Sequence, residues 1–218
     1  DVYKRQYMFR SLLKAFKLNF LFKLNSLIWL LLLRLNGIKV GNNFYIEGHI
    51  LLKLNGNKDS SIVEIGKNVS ILGNIDLRTR ESGSIYISNN VRFDDDIRLV
   101  AARSGIIMIE NDCRIGKGLI INAGENVLIG SNTLIGPYCS VIASNHGFKK
   151  SGPIMGQPHI HAPVRINKGS WLGANVVILP GVDVGEGSVI GASSVVTKNT
   201  ESNSINVGIP SKKIDSRF

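Results

Sequence analysis

From Ile166 onward the chain places an aliphatic residue at every sixth position, Ile166, Leu172, Ile178, Val184, Ile190 and Val196, without a slip. Six is a multiple of the strand period of two, so each marker and the residue two before it point to the same side of an extended segment. In a helix, with about 3.6 residues per turn, the same markers would wander round the axis. The positions two before the markers hold Ser170, Val176, Val182, Ser188 and Ser194, all small or β-branched, and Gly173, Gly185 and Gly191 follow markers directly. Gly and Asn between the strands supply the positive φ that sharp corners need. The pattern predicts short strands joined by tight corners and stacked into a solenoid.

The same spacing runs backwards in groups of three: Val40, Ile46, Leu52; Ile65, Ile71, Leu77; Ile87, Phe93, Leu99; Ile109, Ile115, Ile121; Ile129, Ile135, Val141. Every extra residue falls between groups. If three strands make one triangular coil, all insertions emerge at one corner, in register from coil to coil. Loops on a rigid scaffold are where function tends to sit, and the largest insertion runs from about Ile142 to Val164. Seven coils about 4.8 Å apart predict a prism roughly 30 Å tall. The spacing does not fix handedness; the general rule favours right-handed crossovers.

Composition narrows the function. A chain of 218 residues, 44% hydrophobic and 19% charged, supports one sizeable domain with a true core. Two cysteines, Cys113 and Cys139, exclude a disulfide-built scaffold, no Cys-x-x-Cys pair is present to hold a structural metal, and a reducing cytosol is the default compartment. Of the net charge of +10, residues 1–39 carry +7 (eight Lys/Arg against one Asp) and residues 40–218 carry +3 (eighteen against fifteen). The excess therefore belongs to the N-terminus and suits a membrane surface better than a duplex gripped by the whole fold. With 7% aromatic residues and no basic stretch interleaved with stacking rings, nucleic acid is not an expected partner.

Residues 1–7 read as a non-native leader, its first six resembling a translated library adapter, with Met8 as the natural start. Residues 8–39 form a basic, apolar segment; Phe9 to Asn36 is free of Gly and Pro and reads as helix, stopped by Asn36-Gly37. Such a helix either lies in a membrane interface or packs its apolar side on the protein or another subunit. The longest apolar run, Leu27 to Leu33, is seven residues, whereas a spanning helix needs about 20. Arg34 and Lys39 follow that run without a small-residue cleavage site, against a signal peptide. Residues 40–200 are the solenoid, with an acceptor loop at 142–164, and residues 201–218 a C-terminal tail.

Three segments on this frame, Gly169-Ser-Trp-Leu-Gly-Ala-Asn-Val-Val-Ile-Leu-Pro-Gly-Val, Ile190-Gly-Ala-Ser-Ser-Val-Val-Thr-Lys and Val207-Gly-Ile-Pro-Ser-Lys-Lys-Ile, resemble the hexapeptide-repeat acyltransferases. The stretch from Ile109 to Ile214 is similar to the galactoside, maltose and capsule or exopolysaccharide O-acetyltransferases. The resemblance implies an all-β, left-handed parallel β-helix, a homotrimer with active sites between subunits, and acetyl-CoA as donor.

Acetyl transfer from a thioester to a hydroxyl needs a base for the hydroxyl proton, and an imidazole titrates near neutrality. His146 opens the long insertion and falls where the similar sugar acetyltransferases carry their catalytic His. His159 and His161, later in the same loop, could bind acceptor, but lining a subunit interface or being solvated is favoured for both, and His49 is expected on the surface. Cys113 and Cys139 occupy small inward positions, so neither reads as a nucleophile and direct attack by the acceptor is expected, with a local donor such as a backbone N–H on the developing oxyanion. The resemblance puts Trp171, Ala174, Ala192, Thr197 and Lys198 along a channel for the CoA arm and nucleotide; Ala174 and Ala192, one coil apart, stack on one face. Lys212 and Lys213 stand where related enzymes place basic residues near the CoA phosphates. On the acceptor side, regular stacking brings Arg80, Glu81, Arg103, Asn122 and Glu125 near Asn145 and His146; related enzymes use an Asp or Asn near this point, which Asn122 matches approximately. Asp94, Asp95 and Asp96 read as three acids at a solvated corner.

The leading reading is an acetyl-CoA-dependent O-acetyltransferase acting on a sugar, in capsule, exopolysaccharide or lipopolysaccharide synthesis, without a metal. It would work in the cytoplasm, at the inner face of the membrane if residues 8–36 make peripheral contact there. The alternatives are N-acetyl transfer to a nucleotide-linked amino sugar, transfer to serine (disfavoured by the short N-terminal segment), a zinc carbonic anhydrase using His146, His159 and His161, and a non-catalytic structural solenoid.

Overall fold

The computed structural model describes residues 19–56 and 61–218. It is a parallel β-solenoid of seven triangular coils with a helix, α1 (Asn19–Leu35), at its N-terminal end. The leader, Met8 and the expected helix start at Phe9 lie outside the described residues.

Each marker falls in register on the one below it. On the first face the ladder runs Val40, Ile65, Ile87, Ile109, Ile129, Ile166, Val184. On the second it runs Ile46, Ile71, Phe93, Ile115, Ile135, Leu172, Ile190, and on the third Leu52, Leu77, Leu99, Ile121, Val141, Ile178, Val196. These side chains and the inward small residues, Cys113 and Cys139 among them, form the core; among the markers only Leu52, beside the helix, is partly exposed. The architecture is consistent with the left-handed β-helix that the resemblance implies.

At the corners, positive φ is taken as expected by Asn and Gly between the strands: at the first corner by Asn43, Asn68, Asn90, Asn132 and Gly169, with Asp112 in the same column. Asn43, Asn68 and Asn90 each donate a side-chain hydrogen bond of 2.9 Å to the next coil, ending on Asp112. Gly173 is needed for another reason: the next coil passes so close that a Cβ would stand 2.6 Å from the backbone nitrogen of Ala192. The acidic corner differs from expectation in not being wholly solvated, because Asp95 is buried, accepts the N–H of Asn74 at 2.7 Å and lies 3.7 Å from Lys117 Nζ.

Both ends of the solenoid are sealed. Helix α1 buries Leu33 in the core cluster, with Trp29 and Leu30 packed against it, and buries Phe22 as well. Its polar residues satisfy the open strand edge: Ser26 Oγ accepts the Ile46 N–H at 2.8 Å, and Asn25 Nδ2 donates to the carbonyls of Ile46 and Gly48. The helix stops as expected at Gly37 (φ +78°), where Ile38 N–H returns to Leu33 O and Gly37 N–H to Arg34 O, with Ile38 and Leu33 buried together. At the other end, the strand Ser204–Gly208 extends the second face, and Ser211–Ser216 folds back antiparallel on it. Asn206 stands at the marker position above Ile190, bonded to Ser204 Oγ, so the apolar stack ends on polar groups.

Candidate active site

All insertions leave the third corner, between the third face of one coil and the first face of the next. The largest begins as a hairpin: Ser144–His146 pairs antiparallel with His159–His161, setting His146 opposite His159 and Ser144 opposite His161. Residues two apart on a strand share a face, so the three imidazoles gather. The rings of His146 and His159 are 4.3 Å apart between centroids, and those of His159 and His161 are 5.9 Å apart. His161 Nδ1 lies 3.1 Å from Ser144 Oγ, which also accepts the Gly124 N–H at 3.1 Å. Gly124 is part of this fit, since a Cβ there would collide with Ser144 Oγ and stand 2.7 Å from His161 Nδ1.

The hairpin walls an open cleft of about 760 Å³. Its floor is the outer surface of the lower coils, with Arg80, Glu81, Arg103 and Asn122, and its wall carries Asn145, His146, Gln157, His159 and His161. Arg80, Glu81, Arg103, Asn122, Asn145 and His146 therefore meet, whereas Glu125 is not part of the cleft lining, though its charge acts on His161. The His161 pKa is lowered, first by desolvation and then by Arg103 and His159, with Glu125 opposing. His161 thus favours its neutral form, while His146 is exposed to the cleft.

Both His159, exposed, and His161, half-buried, line the cleft, the position that goes with acceptor contact, the reading less favoured for them from sequence. The usable signal was their spacing of two, which with a hairpin pairing on His146 puts all three rings together. Gly124 and Ser144 were missed because their role exists only across coils. Among the described residues no group of three or more His, Cys, Asp and Glu is arranged to hold a metal ion. The thiols are buried, and burial pushes Cys113 up to about 11 and Cys139 upward also.

The expected donor residues occupy other edges. Trp171, 50% exposed, stands on the second face between Leu134 and Val189. Ala174 and Ala192 stack at the second corner, where Ser193 N–H donates to Ala174 O at 2.8 Å. Thr197 and Lys198 follow the last third-face strand; Lys212 and Lys213 lie on the return strand opposite Val207 and Asn206, with Lys213 paired to Glu201 at 2.7 Å. None of these lines the His146 cleft.

Comparison with known proteins agrees with the repeat. Residues 163–198 match the family model of the bacterial transferase hexapeptide (six repeats). Over 99 residues the chain is 40% identical to a protein of Escherichia coli strain K12 provisionally named a lipopolysaccharide biosynthesis O-acetyl transferase, WbbJ, covering 41% of this chain and 50% of that one. It is 39% identical over 92 residues to a provisionally named acetyltransferase of Schizosaccharomyces pombe, covering 40% and 42%. The matched region thus spans half or less of these curated relatives. Among solved structures, the polySia-specific acetyltransferase NeuO superposes with a TM-score of 0.58 at 24% identity, over 83% of this chain and 81% of that one. The N-acyltransferase AntD of Bacillus cereus, in complex with dTDP and 3-hydroxybutyryl-CoA, superposes with 0.57 at 21%, over 85% and 87%. These likenesses show a shared fold, and the resemblance to hexapeptide-repeat acyltransferases stands.

Proposed function

We propose that this protein is an acetyl-CoA-dependent O-acetyltransferase acting on a sugar hydroxyl, with His146 as general base. The observation that carries the reading is the exposed imidazole of His146 in a cleft of polar side chains, at the one corner where a hexapeptide-repeat solenoid puts its loops. His146 takes the hydroxyl proton as the sugar oxygen attacks the thioester carbonyl. The C–O bond forms, the C–S bond breaks, and the proton passes to the departing sulfur, giving the acetyl ester and free CoA thiol. Buried thiols with raised pKa values support direct transfer over an acyl-enzyme.

The donor is read along Trp171, Ala174, Ala192, Thr197 and Lys198, with Lys212 and Lys213 near its phosphates. The second corner and the His146 cleft lie at opposite margins of the third face, which favours a homotrimer in which one copy's His146 meets the donor column of its neighbour. Asn122, Asn145, Arg103 and Glu125 are read as acceptor contacts. Placement at an anionic membrane surface is supported by α1, whose outward face exposes Phe20, Leu24, Leu27, Leu31 and Leu35 beside Lys23 and Arg34, in the part of the chain that holds most of the positive charge.

The test is acceptor-dependent thiol release from acetyl-CoA across neutral sugars, acidic oligosaccharides, amino sugars and serine, with mild alkali applied to the product. An alkali-labile acetyl group supports the ester; an alkali-stable one would replace it with N-acetyl transfer. No release with any acceptor, together with no CoA binding, would favour the structural solenoid.

A further inference from the structure

We propose, building on the acetyl-transfer reading, that the acceptor carries an anionic group, a carboxylate or a phosphate, held by Arg80 and Arg103 on the floor of the His146 cleft. The two arginines come from successive coils: Thr79 pairs with Ala101, which sets the Arg80 turn beside the Arg103 turn, and both side chains line the cleft with Asn122 and His146. Glu81 lines the cleft with them, and its carboxylate accepts the backbone N–H of Arg103 rather than either guanidinium. Among the described residues neither guanidinium has an ion-pair or side-chain hydrogen-bond partner. Elsewhere on the solenoid Lys39, Arg78, Arg98, Lys117, Arg165, Lys168 and Lys213 have carboxylate partners within 4.0 Å, whereas among the described residues Lys67, Arg92, Arg114, Lys198 and Lys212 have none; what sets Arg80 and Arg103 apart is that both line one cleft with His146. The charged residues lining the cleft, Arg80 and Arg103 against Glu81, leave it one net positive charge.

Backbone conformation points the same way. Positive φ at the first corner falls to Asn, Asp or Gly, which tolerate it; at the cleft it falls to Glu81 (φ 53°) and Arg103 (φ 58°), as it does to Tyr138 (φ 59°) and Ser193 (φ 59°) at the second corner. The left-handed conformation is strained for a long side chain, and at Arg103 it aims the guanidinium into the cleft. The positive field also reaches the imidazoles, since Arg103 is one cause of the lowered His161 pKa. A planar guanidinium fork matches carboxylate and phosphate oxygens in pairs, and an anion between Arg80 and Arg103 would fix a neighbouring hydroxyl toward His146. The acceptor class is an acidic glycan or a phosphate-linked sugar.

The experiment compares matched acceptors by initial rate: trigalacturonic acid against its carboxyl-reduced counterpart, and glucose 1-phosphate against glucose, for the native chain, Arg80→Gln and Arg103→Gln. The expected result is at least tenfold higher kcat/KM for a charged member. Each substitution should raise the KM for that acceptor about tenfold while the KM for acetyl-CoA stays put, with partial rescue by Arg103→Lys. Preference within the first pair assigns a carboxylate, within the second a phosphate. Equal rates within both pairs, or an unchanged acceptor KM in both variants, would overturn the proposal. Absence of transfer to every acceptor would count against the acetyltransferase reading instead. Calorimetric binding of trigalacturonate and glucose 1-phosphate would then test the anion site alone, and binding of neither, or binding equal in the Gln variants, would overturn it.

Discussion

His146 and His159 face each other across an antiparallel pair, their rings 4.3 Å apart and inclined by 60°. His161, the next residue but one on the same strand, is tied to Ser144, so one hairpin fixes the positions of three imidazoles around a single cleft.

The first prediction concerns His161. Its pKa is lowered by desolvation, Arg103 and His159, so between that lowered value and about 6.5 the unfolded chain binds more protons than the folded one. Stability should therefore be fully present above about pH 6.5 and fall as pH drops toward the folded pKa. By NMR, Arg103→Gln should move the His161 titration upward, and in urea His161→Gln should make stability less dependent on pH. A His161 titration at or above the ordinary value would contradict this picture.

The second concerns the corners. Gly173→Ala forces a Cβ to within 2.6 Å of the next coil's backbone and should cost about 1–3 kcal/mol by denaturant titration. Gly169 stacks over Asn132, shares its positive φ and has open space where a Cβ would go. Gly169→Asn should stay within about 0.5 kcal/mol of the native chain. Equal costs at the two sites would show that crowding between coils is not what demands Gly173.

The third concerns the thiols. With Cys113 pushed up to about 11 and both thiols buried, a maleimide should label neither in the folded protein and both in denaturant. The Cys113→Ala/Cys139→Ala double variant should keep its transferase rate within a few-fold. Loss of activity in the folded variant would revive an acyl-enzyme.

The fourth concerns α1. Leu27 and Leu31 are 53% and 54% exposed on the outward face. The protein should sediment with vesicles rich in phosphatidylglycerol and much less with pure phosphatidylcholine, and Leu27→Glu/Leu31→Glu should abolish the binding. If that pair instead changes the oligomeric state and leaves vesicle binding intact, the face belongs to a subunit contact.

Most of the scaffold was legible because a solenoid repeats its packing problem: Ile135 needs an aliphatic neighbour above and below, and Ile115 and Leu172 supply it once the insertions at the third corner are set aside from the six-residue spacing. The clustering of loops at one corner, and with it the meeting of Arg103, Asn122 and His146, followed from the same arithmetic. What stayed hidden depends on contacts between coils or across a hairpin. Gly173 is required by Ala192 rather than by its own φ, Asp95 is buried by Asn74 and Lys117, and His159 enters the cleft only through its pairing with His146. The separation of Trp171 and Ala174 from that cleft could be derived from the spacing, since these residues fall on the second face and second corner.

The most direct test of the central claim is thiol release from acetyl-CoA with the best acceptor, comparing the native chain with His146→Ala shown to be folded by circular dichroism. The account predicts a fall in kcat of about 10²–10⁴-fold with CoA binding retained, the loss expected of a missing general base. Undiminished turnover by the folded variant would contradict it.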